Sequence, residues 1–200
     1  MRETLQPYIA EDGYRQILPR YHFQEKEEDL IRSLTKQLYQ VLDSATCFAC
    51  KSPREENRLA VLVTLGSGVD HLQEAYTKAG QLTEGYMIEC IAMELLKNAY
   101  EQAADKIYSH YGRWAGRFEF LGEAVPIEAL EEMFTILEPK EISYNQAYML
   151  MPKKTAAFFT TLTENRQTAY CNFCQTCSHV KCVHRQGNLT YGYQQIFRNR

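Results

Sequence analysis

The chain has 200 residues, 45% of them apolar and 24% charged, a balance that supports a folded core and excludes a disordered or fibrous chain. Lys and Arg number 22 against 25 Asp and Glu, giving a net charge of -3, so broad attraction to nucleic acid is not expected. At this length one domain with a small appendage is the expectation.

Met1 to Leu18 carries Arg2, Glu3, Glu11 and Asp12 and lacks the apolar segment of a secretory signal. No stretch approaches the roughly 18 uninterrupted apolar residues of a membrane span. The chain is accordingly read as cytoplasmic, without membrane association. In a reducing compartment, clustered cysteines point to metal or redox chemistry more than to structural disulfides.

In chain order, Leu30, Ile31, Leu34, Leu38 and Leu42 recur at spacings of three and four, which predicts an amphipathic helix over 27–43 packed on a sheet. Cys47 and Cys50 follow and are read as partly buried helix-end residues, with a redox dithiol, or half of a site completed from the tail, as the other readings. A polar turn through Lys51–Pro53 leads to the β-branched run Leu59–Leu65, which predicts a buried strand. Gly66-Ser67-Gly68 then forms a tight turn or an anion cradle. Val69, Leu72 and Tyr76 mark a short helix ending near Gly80.

A long helix is predicted from Thr83, a candidate N-cap, to Tyr111, with Cys90 on its apolar face. Glu89 and Glu94 fall on neighbouring faces of it, which does not make a paired-carboxylate acid/base site. Gly112–Gly122 has neither helical nor strand period and reads as an irregular loop. Pro126 is placed at the first position of a helix carrying Ile127, Leu130, Phe134 and Leu137, and Pro139 ends that helix. Ala147–Met151 and Ala156–Thr161 read as two strands. The fold class expected is α+β, a twisted antiparallel sheet covered by helices over residues 1–163, followed by a cysteine-rich tail over 164–200 that a metal stabilises.

Two constellations carry chemistry. Cys171, Cys174, Cys177 and Cys182 have the spacing Cys-x2-Cys-x2-Cys-x4-Cys, which lets four thiolates converge on one centre, either zinc or an iron-sulfur cluster. Lys181 and Arg185 would favour the thiolate forms, and His179 or His184 could replace one sulfur. The second constellation is Arg113-Trp114-Ala115-Gly116-Arg117. Arginine can hold a carboxylate in two hydrogen bonds, tryptophan can stack on a base or cover a cation, and glycine permits close approach to the backbone. The same two arginines would equally serve as paired surface residues.

The succession Val63-Thr-Leu-Gly66, Val69-Asp70, Gly85-Tyr86, Pro126 and Tyr148-Met-Leu-Met-Pro152-Lys-Lys-Thr155 resembles the activation domain of cobalamin-dependent methionine synthase. The resemblance spans about Tyr14 to Arg185 and extends to small stand-alone proteins with a cysteine-rich end. It implies a curved α+β domain that binds S-adenosylmethionine and assists reductive remethylation of oxidised cobalamin. The family holds the ligand's amino-acid end with an Arg-x-x-x-Gly-Tyr loop. Here the matching segment, Arg113 to Arg117, is one residue shorter and lacks the tyrosine. The family's Met-x-Pro-x-x-Ser element is matched by Leu150-Met-Pro152-Lys-Lys-Thr155. The resemblance therefore implies Arg113, Gly116, Arg117 and Thr155 as ligand contacts. With no room for substrate and cobalamin modules, the expected partner is a separate corrinoid (cobalamin) protein served in trans. The rival readings are an iron-sulfur electron-transfer protein and a non-catalytic binding module with a zinc-stapled tail.

Overall fold

A computed structural model describes residues 1–50, 55–122 and 125–166. The four clustered cysteines, their flanking basic and histidine residues and the Lys51–Pro53 turn lie outside the described residues. The elements are β1 (Arg2–Thr4), α1 (Glu11–Arg20), α2 (Glu28–Val41), β2 (Ala45–Cys50), β3 (Arg58–Thr64), α3 (Ser67–Lys78), α4 (Leu82–Tyr111), β4 (Trp114–Ala115), β5 (Glu119–Phe120), α5 (Ala129–Leu137), β6 (Ser143–Tyr144), β7 (Leu150–Met151) and β8 (Thr155–Thr163).

The main sheet is a curled antiparallel one in the order β1-β2-β3-β8-β4, with β5 also paired to β8. Successive side chains of a strand point to opposite faces. In β3 this sends Leu59, Val61 and Val63 into one apolar core and Ala60 and Leu62 into another. Both faces of β3 are therefore covered, which is why its sequence is a continuous apolar run instead of an alternating one. On the first face Ile31, Leu34 and Leu38 of α2 and Met87, Ile91 and Leu95 of α4 meet Phe48, Val61 and Phe158. On the second, Leu130 and Met133 of α5 meet Cys47, Leu62, Ala157 and Phe159. No helix of the described residues is long and apolar enough to cross a membrane.

Several sequence expectations change in detail. Cys47 and Cys50 are not at a helix end but in β2, where three residues' separation turns them to opposite faces. Cys47 packs in the second core, while Cys50 borders the first and donates its thiol to the Glu56 carbonyl at 3.4 Å. They cannot act as one dithiol in this strand. The helix predicted from Thr83 starts one residue earlier, with Gln81 as N-cap and no side-chain cap. Pro126 precedes α5 in a turn whose carbonyl accepts the Ala129 N–H at 3.1 Å, so it is not a helical residue. Of Ala147–Met151 only Leu150 and Met151 are strand. Asn145 Oδ1 accepts the N–H groups of Ala147 and Met149 at 2.9 and 3.0 Å, bending that segment into a turn.

Candidate ligand-binding site

The segment Arg113–Arg117 is placed by the end of α4 and by the far end of β8. Gly112 takes the left-handed conformation, φ 65°, and its N–H closes the helix on the Tyr108 carbonyl at 2.8 Å. The chain then turns onto β8, pairing Trp114 with Thr163 and Ala115 with Leu162. The Gly116 N–H donates to the Thr161 carbonyl at 2.7 Å. A Cβ at position 116 would lie 2.8 Å from that same oxygen, so glycine is required there by the approach to β8.

The side chains fan out from this anchored backbone. Arg113 Nη2 donates to Asn57 Oδ1 at 2.6 Å, which ties the loop to the residue preceding β3. The Asn57 carbonyl in turn accepts the Leu162 N–H at 2.7 Å. Arg117 is exposed. Trp114 stacks on Tyr108, with ring centroids 3.9 Å apart and planes 16° from parallel, and the Arg166 guanidinium lies 5.0 Å from the Trp114 centroid. Arg113, Trp114, Gly116 and Arg117 thus lie at one corner of the sheet, where the two arginines supply guanidinium groups of the kind that pair with a carboxylate.

Thr155 is not at that corner. It opens β8, whereas Trp114 pairs with its last residue, Thr163. Eight steps of about 3.3 Å separate them, roughly 26 Å along the strand. The structure therefore brings together Arg113, Gly116 and Arg117 but not Thr155. Thr155 Oγ1 instead donates to Thr64 Oγ1 at 2.8 Å, and Thr64 Oγ1 also accepts the Gly66 N–H at 3.1 Å.

A second polar cluster, unforeseen in the sequence, surrounds Thr155. Lys154 carries its ammonium into the interior and donates to both oxygens of Glu89 at 2.7 Å. Asp70 accepts the Lys153 N–H at 2.7 Å, and the Lys154 carbonyl accepts the Leu65 N–H at 3.0 Å. These bonds clamp the Pro152–Thr155 turn onto α3 and α4. Beside it is a small cleft of about 110 Å³ whose lining includes Arg2, Asp43, Thr64, Gly66, Pro152 and Glu141. The Gly66-Ser67-Gly68 turn is close-packed: a Cβ at Gly68 would sit 2.2 Å from the Val41 carbonyl, and Gly66 has φ 86°. Its glycines answer to packing against α2.

Thiol chemistry is not offered by the described core cysteines. Burial pushes the Cys47 thiol up and the Cys90 thiol up to about 11, leaving both protonated at neutral pH. Burial, followed by its hydrogen bond with Cys50, likewise pushes the Tyr111 hydroxyl up to about 12. Among the described residues no group of three or more His, Cys, Asp or Glu is arranged to hold a metal ion.

No family model and no curated protein matches the chain. Among solved structures it is similar to the crystal structure of the MetH reactivation domain bound to AdoHcy, at 10% sequence identity and a TM-score of 0.57. The likeness covers 85% of this chain and 81% of that one. The chain thus has the fold of the methionine synthase reactivation, or activation, domain.

Proposed function

We propose that this protein is an activation-domain-like factor that binds an S-adenosyl compound at the α4–β8 corner and assists reductive reactivation of a corrinoid protein in trans. The observation that carries this reading is the shared fold with a reactivation domain that has AdoHcy bound. The local chemistry is consistent with it. Arg113 and Arg117 supply cationic forks for the ligand's carboxylate, and Gly116 keeps the loop close to β8. Thr155 lies too far along β8 to share one small ligand with them.

Isothermal titration of the full chain with S-adenosylmethionine tests the ligand half of this reading. Binding is expected, and Arg113→Ala should weaken it about tenfold, the value of one charge-assisted hydrogen bond. No heat at millimolar ligand would remove the S-adenosyl part of the proposal.

For Cys171, Cys174, Cys177 and Cys182 we propose a single metal centre, on the strength of their spacing alone. An iron-sulfur cluster would let the tail pass an electron to the corrinoid partner; zinc would make it a structural staple. Anaerobic purification with metal analysis separates the two, because a brown iron- and sulfide-containing protein and a colourless zinc protein cannot be confused.

A further inference from the structure

The β6–β7 pair turns one face to the protein and the other outward. Ser143 pairs with Met151 and Tyr144 with Leu150. Tyr144 and Leu150 pack against the second core, so Met149 and Met151, on either side of Leu150, point away from it. They are 61% and 47% exposed among the described residues. Tyr148 joins this face to α5. Its ring lies parallel to that of Tyr144 at 5.8 Å between centroids, and its hydroxyl donates to Glu131 Oε1 at 2.7 Å. Glu128, one turn earlier on the same side of α5, also acts on that hydroxyl. Two adaptable thioether side chains therefore stand beside carboxylates, and residues 125–151 as a whole carry five glutamates and one lysine. Such a surface suits an apolar segment that bears basic side chains.

The chain itself contains a segment of that kind. Residues 167–200 hold Lys181, Arg185, Arg198 and Arg200 and no Asp or Glu, which leaves 18 Lys and Arg against 25 Asp and Glu in residues 1–166. The net charge of -3 is thus divided into -7 on the first part and +4 on the second. Leu189, Tyr191, Tyr193, Ile196 and Phe197 supply apolar side chains next to Arg198 and Arg200. From Arg166 to Leu189 the chain can reach roughly 75 Å, and still roughly 40 Å with Cys171–Cys182 drawn onto one centre. The strand β8, which separates its two ends, spans only about 26 Å. We propose that residues 189–200 dock on the Met149–Met151 face, with Arg198 and Arg200 set against Glu128 and Glu131. Tethering keeps the two parts at an effective concentration of millimolar order, so a weak contact is populated. The contact requires neither the S-adenosyl ligand nor a metal and goes beyond both.

The test is the rate at which hydrogen peroxide oxidises each methionine of the full chain, read by mass spectrometry. Each thioether takes one oxygen atom from the peroxide, and water is released. Met149 and Met151 are expected to oxidise about threefold more slowly in the parent than in a chain carrying Arg198→Glu with Arg200→Glu, as for a contact closed about two-thirds of the time. Glu128→Lys, on the other side of the contact, should release the same two methionines. The protection should fade between about 50 mM and about 500 mM salt and be the same at every protein concentration. Met87 and Met133, fully buried in the two cores, should stay unoxidised throughout and so report that each chain is folded.

Equal rates at Met149 and Met151 in the parent and in both folded variants would overturn the proposal and leave this face to a separate partner. Protection that disappears on dilution would also overturn it, because the occupant would then be a second copy of the chain.

Discussion

Glu94 gathers three donors that lie far from it in sequence or on the next helical turn. Arg20 Nη1 donates to its two oxygens at 2.9 and 2.8 Å, the Tyr21 hydroxyl at 2.5 Å and Lys97 Nζ at 2.7 Å. Burial alone would raise this carboxyl, but Lys97, the Tyr21 hydroxyl and Arg20 outweigh it and hold it below its ordinary value of 4.5. A carboxyl depressed in the folded state contributes stability that is fully present above pH 4.5 and is lost as pH falls through the folded value. Glu94→Gln is therefore expected to cost about 2 kcal/mol at pH 7 and to flatten the acid limb of stability. Urea unfolding between pH 7 and pH 3 checks this; parallel loss in both proteins below pH 4.5 would refute the assignment to Glu94. At this scale the sequence shows chemistry without showing partners. Cys90 was legible as core because it sits on the apolar stripe of α4, and it is fully buried. The Arg20–Glu94 pair spans 74 positions and the Lys154–Glu89 pair 65. No local period encodes such contacts.

At the scale of elements, legibility follows the length and regularity of the apolar pattern. α2, α3 and α4 carry helical repeats that outlast any local ambiguity, and β3 a β-branched run bounded by turn residues, so their types and most of their ends agree with the sequence reading. α1 has no clear sequence signature because it contains Gly13 and Pro19 and buries only Tyr14, Ile17 and Leu18. β2 does not read as a strand in the sequence because its apolar run Ala45–Cys50 has no alternation: Phe48 and Cys47 serve opposite cores. β4 and β5 span two residues each, too few for a period, and they exist because β8 offers them an open edge. Gly116 makes that pairing possible for β4. In Gly116→Ala the new methyl would meet the Thr161 carbonyl at 2.8 Å, forcing β4 away from β8 at a cost of about 2 kcal/mol. The urea midpoint should fall accordingly, and Trp114 emission should shift to the red as its stack on Tyr108 loosens. Unchanged stability and emission would mean that the corner can relax without losing β4.

For the molecule as a whole, the two apolar cores explain which part of the chain can stand by itself. Among the described residues both are assembled from positions between Leu5 and Leu162, and α4, about 45 Å long, runs along the larger one. The stretch after Glu164 is polar and poor in aliphatic residues, so the sequence expectation is that it encloses no core of its own. A chain ending at Arg166 is of ordinary domain size and retains every described residue of both cores. It is expected to fold cooperatively, with a melting temperature within about 3 °C of the full chain's, a difference equivalent to about 1 kcal/mol. It should still bind S-adenosylmethionine in titration, because Arg113, Gly116 and Arg117 all remain. It should carry no stoichiometric zinc or iron, because the described residues hold no metal-ligating group of three and the four spaced cysteines are gone. Circular dichroism melts paired with metal analysis of the two chains decide the matter. A shortened chain that is unfolded would place part of the fold's stability in residues 167–200. One that folds but keeps its metal would move the centre away from Cys171, Cys174, Cys177 and Cys182.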